Sequence, residues 1–267
     1  MRKRTKRAKP SWPSKKNTTR IMTEKVTFLG GQVTVRQAEG YRAGLDAVLL
    51  ASAVTLKPGA KALELGCGAG TALICAAHQN PKAHFIGLEK NQGVFALAQD
   101  NIIENAMQKY VEVLQGSVAN PPQGLRPDSF DQVFLNPPYF DDPSAIRRPK
   151  TGKDSAFVNN GLTLRDWIDT ALRLTRAKGY ITLIQRAERL DDCLAGFYGR
   201  AGDIRILPIT PRAGEAAHRI IVRARRNVKS PLMILPPLVI HEAERTWTPM
   251  ADAILKGHTQ INLDPKG

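Results

Sequence analysis

Leu63-Glu64-Leu65-Gly66-Cys67-Gly68-Ala69-Gly70 is the stretch on which the reading of the chain turns. Residues 61–65 read as a short buried strand, and a helix is expected from the glycines to about residue 79. Glycines at 66, 68 and 70 let the backbone turn sharply and let a ligand approach main-chain N–H groups at a helix N-terminus. Alone, such a loop is a weak signal, because dinucleotide enzymes also carry a Gly-rich first turn. Three features separate this loop from theirs. Its spacing is G-x-G-x-G, whereas the dinucleotide fingerprint sets its third glycine one position later. Glu64 stands two residues before the loop, where a carboxylate meets a cation and repels a pyrophosphate. Glu89 ends the next expected strand, placed to accept hydrogen bonds from two ribose hydroxyls. A cationic sulfonium nucleoside without phosphates fits all three.

Working outward, strands are expected at 85–88, 111–114, 131–135 and 180–184. Helices are expected at 93–106, from Thr163 as N-cap to a stop at Lys178-Gly179, and at 188–198. The alternation implies a parallel sheet covered on both faces. Residues 204–209 and 219–222 alternate like a final antiparallel pair, which brings the count from residue 61 to seven strands. Ahead of the alternation, residues 26–29 and 32–35 flank Gly30-Gly31 and read as a hairpin with a two-residue turn. A helix at 45–56 is stopped by Lys57-Pro58-Gly59. Residues 232–240, broken by Pro236-Pro237, suit an edge or a loop. The expected fold is α/β, a doubly wound, seven-stranded, mostly parallel sheet with an N-terminal hairpin and helix extension. Its segments are a basic tail at 1–21, the extension at 22–60 and the core at 61–267.

Asn136-Pro137-Pro138-Tyr139 directly follows the fourth strand of the core, at the edge where open α/β sheets bind ligands. An adenine or amide NH₂ is a poor nucleophile because its lone pair is delocalised. A site acting on such an amine must hold it in line with the electrophile and pull on its hydrogens as positive charge develops. The Asn136 side-chain oxygen and the Pro137 carbonyl each accept one N–H bond, and the two prolines make that pair of acceptors rigid. Tyr139 supplies a flat face for stacking, worth about 1–3 kcal/mol per base. These four are the expected catalytic residues.

Glu64 to Gly70 with Glu89 resembles the cofactor motifs of class I S-adenosylmethionine-dependent methyltransferases, and Asn136 to Tyr139 resembles the signature of amino methyltransferases acting on adenine or a glutamine amide. The resemblance implies S-adenosylmethionine held by Glu64, Gly66, Cys67, Gly68, Gly70, Glu89, Ser117 and Asn136. Ser117 is a departure, since many relatives carry an acidic residue there to hold the cofactor's adenine amine. Further stretches are similar to the bacterial family that methylates adenine beside the anticodon of valine tRNA: Tyr41 to Leu50, Gln185 to Leu190, Leu207 to Gly214 with His218-Arg219, and Pro237 to Glu242. That likeness spans roughly residues 26–257 and implies transfer to the adenine exocyclic amine, with Arg42 and Asp46 at the mouth of the site. Readings left open are a glutamine amide in a protein such as a release factor, DNA adenine, and a silent RNA-binding relative.

Net charge is +15, and residues 1–21 hold nine Lys or Arg and no acid. The rest of the chain keeps +6, which favours a polyanionic partner. RNA, and tRNA within that class, is the expected partner. Arg212, Arg219, Arg223, Arg225 and Arg226, with Arg147, Arg148, Lys150 and Lys153, are the expected phosphate contacts. Three cysteines, Cys67, Cys75 and Cys193, lack zinc-ligand spacing and are odd in number. No metal, no membrane span and a cytoplasmic monomer or weak dimer are therefore expected.

Overall fold

The computed structural model describes residues 23–38, 43–138, 161–244 and 246–264. A hairpin comes first, β1 (Thr23–Phe28) against β2 (Val33–Ala38), with Phe28 opposite Val33. Its turn takes four residues, not the expected two. Leu29, Gly30 and Gly31 all have positive φ (+52°, +64° and +92°), and Leu29 turns its side chain fully into the core. Helix α1 (Leu45–Ser52) stops four residues before the expected end. Tertiary partners take carbonyls at and just beyond its end: Ile261 N–H donates to Ser52 O, and the Asn80 and Gln260 amides donate to Val54 O.

The core then alternates as the sequence implies. Strands β3 (Lys61–Leu65), β4 (His84–Glu89), β5 (Val111–Gln115), β6 (Phe130–Leu135) and β7 (Thr175–Arg186) are parallel. Helices α2 (Thr71–Gln79), α3 (Gln92–Glu104), α4 (Leu164–Leu174) and α5 (Leu190–Phe197) connect or flank them. β8 (Ala201–Thr210) and β9 (Arg219–Arg226) form an antiparallel pair, and β9 inserts beside β7. The seven long strands lie in the order β5-β4-β3-β6-β7-β9-β8. Two short strands, β10 (Met233–Ile234) and β11 (Leu238–Val239), add to β8 on either side of Pro236-Pro237, which makes nine.

Helix α4 opens as expected with a capping box between Thr163 and Asp166. It ends at Leu174 rather than at Lys178. Thr175 leaves helical geometry, donates its hydroxyl to Ala171 O and pairs with Phe130, so the chain joins the sheet early, through a bulge. One helix was not expected, α6 (Pro249–Leu255), although Thr248 caps it and Pro249 starts it in the ordinary way.

The parallel strands alternate between two cores. Leu63 and Leu65 join the cluster under α4 and α5, with Ile168, Leu183 and Phe197. Ala62 joins the cluster under α1, α2 and the hairpin, with Leu49, Leu73 and Phe134. By the same alternation Glu64 falls on the α1/α2 side.

Candidate active site

The turn after β3 is a left-handed succession, with Gly66, Gly68 and Gly70 at φ +65°, +56° and +86°. Cys67 N–H donates to Leu88 O at 3.0 Å, Gly68 N–H to Glu89 Oε2 at 3.0 Å, and Gly70 N–H to Cys67 O at 2.8 Å. Glu89 Oε1 accepts from Asn91 N–H at 2.7 Å, so this carboxylate ties the glycine loop to the start of α3. The loop lies tight against its neighbours. A Cβ on Gly87 would stand 2.7 Å from Cys67 Sγ, and one on Gly66 2.7 Å from the Trp167 ring.

Above the turn opens a cleft of about 310 Å³. Residues 43–47 at the start of α1 form one wall, and Glu64, Gly66, Cys67, Ala69, Thr71, Ala72 and Asn136 complete the lining. Glu64 is 3% exposed, and its Oε2 has no hydrogen-bond partner among the described residues. Burial pushes its carboxyl well above the usual carboxylate range; a backbone N–H from Leu73 opposes the rise and the charge of Glu89 adds to it. A buried carboxylate with one oxygen unmatched is a receptor for a cation. Among the described residues no cluster fit to hold a metal occurs, and no helix is long and apolar enough to cross a membrane.

Of the expected cofactor residues, Glu64, Gly66, Cys67 and Asn136 share this cleft, together with Asp46. Gly68 and Gly70 lie between lining residues and Glu89 bonds Gly68, but none of these three, nor Ser117, lines the cleft. Ser117 Oγ accepts from Ala119 N–H at 3.2 Å and shapes a local turn. Pro137 is buried and Pro138 exposed; Tyr139 and Arg42 lie outside the described residues, as do Arg147, Arg148, Lys150 and Lys153. Sequence reasoning missed Thr71, whose only signal was a hydroxyl residue directly after the last glycine of the turn.

Topology divides the arginines of the expected basic face. Because β9 is antiparallel, Arg219 pairs with Arg186 at the ligand-binding edge, whereas Arg225 pairs with Tyr180 at the opposite end. Arg219 donates to Asp46 at 3.0 Å. Arg223 is 6% exposed, ion-paired to Asp264 and lies 4.6 Å over the Tyr180 ring, so its guanidinium is part of the packing. Arg225 shares that ring and reaches Asp203 at 3.5 Å; Arg226 pairs with Asp128. Arg212 stays at the ligand edge beside Glu215, 3.2 Å away.

Comparison with known proteins gives the family. A family model described as a methyltransferase domain matches residues 56–194. The tRNA1(Val) (adenine(37)-N6)-methyltransferase of Aeromonas hydrophila is 24% identical over 210 residues, covering 78% of this chain and 85% of that protein. The protein of the same name from Actinobacillus pleuropneumoniae is 27% identical, covering 76% and 84%. Among solved structures, a predicted O-methyltransferase from Agrobacterium tumefaciens is 28% identical, with a TM-score of 0.67, and covers 81% of this chain and 98% of that one. The family match spans over half of the chain and includes the glycine turn, Glu64, Glu89 and Asn136, and the chain belongs to the methyltransferase domain family.

Proposed function

We propose that this protein transfers a methyl group from S-adenosylmethionine to the exocyclic amine of adenine in tRNA. One observation carries the chemistry: Asn136, at the carboxyl end of β6, opens onto the same cleft as the buried, half-unmatched carboxylate of Glu64. The relatives named as tRNA adenine methyltransferases, which this chain matches over most of their length, support the substrate.

S-adenosylmethionine supplies an electrophilic methyl on a cationic sulfur. The chain's own groups do the rest. Glu64 and the backbone of the glycine turn hold the cationic ligand, and the Glu89 carboxylate lies beyond, toward the ribose. The Asn136 side-chain oxygen and the Pro137 carbonyl accept the two N–H bonds of the target amine, which aims its lone pair along the transfer line. Both acceptors strengthen as positive charge grows on the nitrogen, so they act mainly in the transition state. The methylated nitrogen is acidic and releases its proton to water without a dedicated base.

The test is transfer of labelled methyl to total tRNA, with a nucleoside digest of the product. N-methyladenosine is expected from the intact chain, and Asn136→Ala should lower the rate by roughly 10²–10³-fold. The solved relative titled a predicted O-methyltransferase favours a second reading, a hydroxyl acceptor. A digest containing only O-methylated nucleoside would select it. Label in protein and none in RNA would overturn both readings.

A further inference from the structure

Trp247 is 43% exposed, and its indole stacks on the His241 ring with centroids 4.5 Å apart and planes inclined by 26°. One face is therefore covered, which leaves the exposed part to the opposite face and the rim. The backbone holds the pair rigidly. His241 and Trp247 bridge as antiparallel neighbours, and Glu242 N–H donates to Thr246 O at 2.9 Å. Thr248 donates its N–H to Ile240 O at 3.0 Å and its hydroxyl to Val239 O at 2.7 Å, which fastens the turn to the end of β11. His241 Nδ1 is buried with no partner among the described residues, so the stack rather than a hydrogen bond to that nitrogen sets the ring's place.

Topology puts this pair on the side of the sheet where the cleft opens. His241 N–H donates to Pro211 O at 2.9 Å, just beyond Ile209, the partner of Arg219. Arg219 in turn joins Asp46 in the cleft lining. Along the order β6-β7-β9-β8-β11, with about 4.8 Å between neighbours, the pair lies roughly 19 Å from Asn136. That is too far for the nucleotide being methylated and within reach of another on the same strand of RNA. The charges agree. Arg212 and Arg219 belong to the end of the β8–β9 pair between the cleft and the stack, whereas Glu242 and Glu244 lie in the turn that carries Trp247. Acids beside a flat ring disfavour a phosphate there and suit the uncharged face of a base.

We propose that Trp247, backed by His241, is a stacking platform for an unpaired nucleobase of the RNA substrate, a few nucleotides from the adenine that is methylated. This rests on the RNA reading above and adds to it a fixed second point of contact. Trp247 acts in binding and takes no part in the transfer.

The test uses the full chain, with total tRNA as methyl acceptor and single-stranded oligoadenylate as a binding probe. Trp247→Ala should raise the KM for tRNA about tenfold, and leave kcat and the affinity for S-adenosylhomocysteine unchanged, since the contact is remote from the reacting atoms. The salt dependence of tRNA binding should keep its slope, because no phosphate contact is lost. Trp247→Phe keeps a flat ring and should restore most of the loss. Oligoadenylate should quench the tryptophan emission of wild type, and Trp247→Phe should remove the quench. An unchanged KM in Trp247→Ala, a shallower salt slope, or a KM that rises only together with weakened S-adenosylhomocysteine would each overturn the platform, while methyl transfer to tRNA by wild type keeps the substrate reading standing. A quench without tRNA methylation would support the platform and remove tRNA as the substrate. Neither quench nor methylation would overturn both.

Discussion

Arg219 donates through Nε to Asp46 Oδ2 at 3.0 Å, joining the first residue of β9 to the first turn of α1 across 173 positions of sequence. Asp46 lines the cleft, and its charge lies favourably at a helix start. The pair therefore ties down the wall made by residues 43–47. Both side chains are partly exposed, at 32% and 22%, so the pair contributes no more than about 1 kcal/mol to stability. Arg219→Ala should accordingly leave the thermal midpoint nearly unchanged and weaken S-adenosylhomocysteine severalfold, because the wall loses its tie. The exchange Asp46→Arg with Arg219→Asp should recover part of the affinity in calorimetry. A lowered midpoint with unaltered affinity would reduce the pair to a structural contact.

Gly66→Ala should damage both fold and binding. An alanine held at φ +65° costs about 1–2 kcal/mol, and its methyl would stand 2.7 Å from the Trp167 ring, adding roughly 1–3 kcal/mol of overpacking. The ring then has to move off the glycine turn. Thermal denaturation should show the loss, and the Trp167 emission should shift. Gly59→Ala is the control, since Gly59 also has positive φ (+78°) but nothing within 4 Å, so only the conformational part of the cost should remain.

The contrast between these two sites shows what was legible in the sequence. The glycine turn could be read because its conformation is dictated locally: an apolar strand, glycines at fixed offsets, then a helix. Strand β3 and helix α2 fall where local pattern places them. Ion pairing is a different matter. Five arginines near the last hairpin look alike in sequence, and only the antiparallel run of β9 sorts Arg219 to the ligand edge and Arg223 into the packing. Thr71 was missed for a related reason. Whether a hydroxyl is satisfied depends on distant chain that closes over it. Helix α6 was missed despite the legible Thr248-Pro249 start, because seven residues after a proline-broken segment carry too little periodicity.

Arg223→Ala should destabilise the protein by about 1–3 kcal/mol, through lost stem packing and lost contact with the Tyr180 ring. It should leave the salt dependence of tRNA binding as it was, because a buried guanidinium neutralises no phosphate. The same pair gives a pH signature. The Arg223 hydrogen bond and charge hold the Asp264 carboxyl below its usual range. A lowered pKa in the folded state contributes stability above the unfolded value and loses it as pH falls through the folded one. Wild type should thus show an acid-side loss that Arg223→Ala lacks. A tRNA salt slope that falls by about one in that variant would return Arg223 to the RNA face.

Glu64 should behave in the opposite sense, and its pH dependence separates a binding role from a packing one. Burial raises its carboxyl well above the usual range in the free protein. Stability from such a group is present below the unfolded pKa and fades as pH rises through the folded value, because the folded state holds a proton that the unfolded chain releases. Glu64→Gln keeps the shape and removes the titration. It should therefore raise the thermal midpoint of the free protein at neutral pH, by a margin that shrinks as pH drops toward the ordinary carboxylate range. Ligand binding should run the other way. A cationic group against Oε2 favours the ionised form, so S-adenosylhomocysteine should expel a proton from Glu64 on binding. Its affinity should then rise with pH up to the raised pKa, at pH values where the ligand's own ammonium stays charged. Calorimetry in buffers of different ionisation enthalpy reads that proton directly, and Glu64→Gln should abolish its release and weaken binding. A variant that is stabilised but binds as tightly as wild type would show that the carboxylate in the lining of the cleft meets no cation.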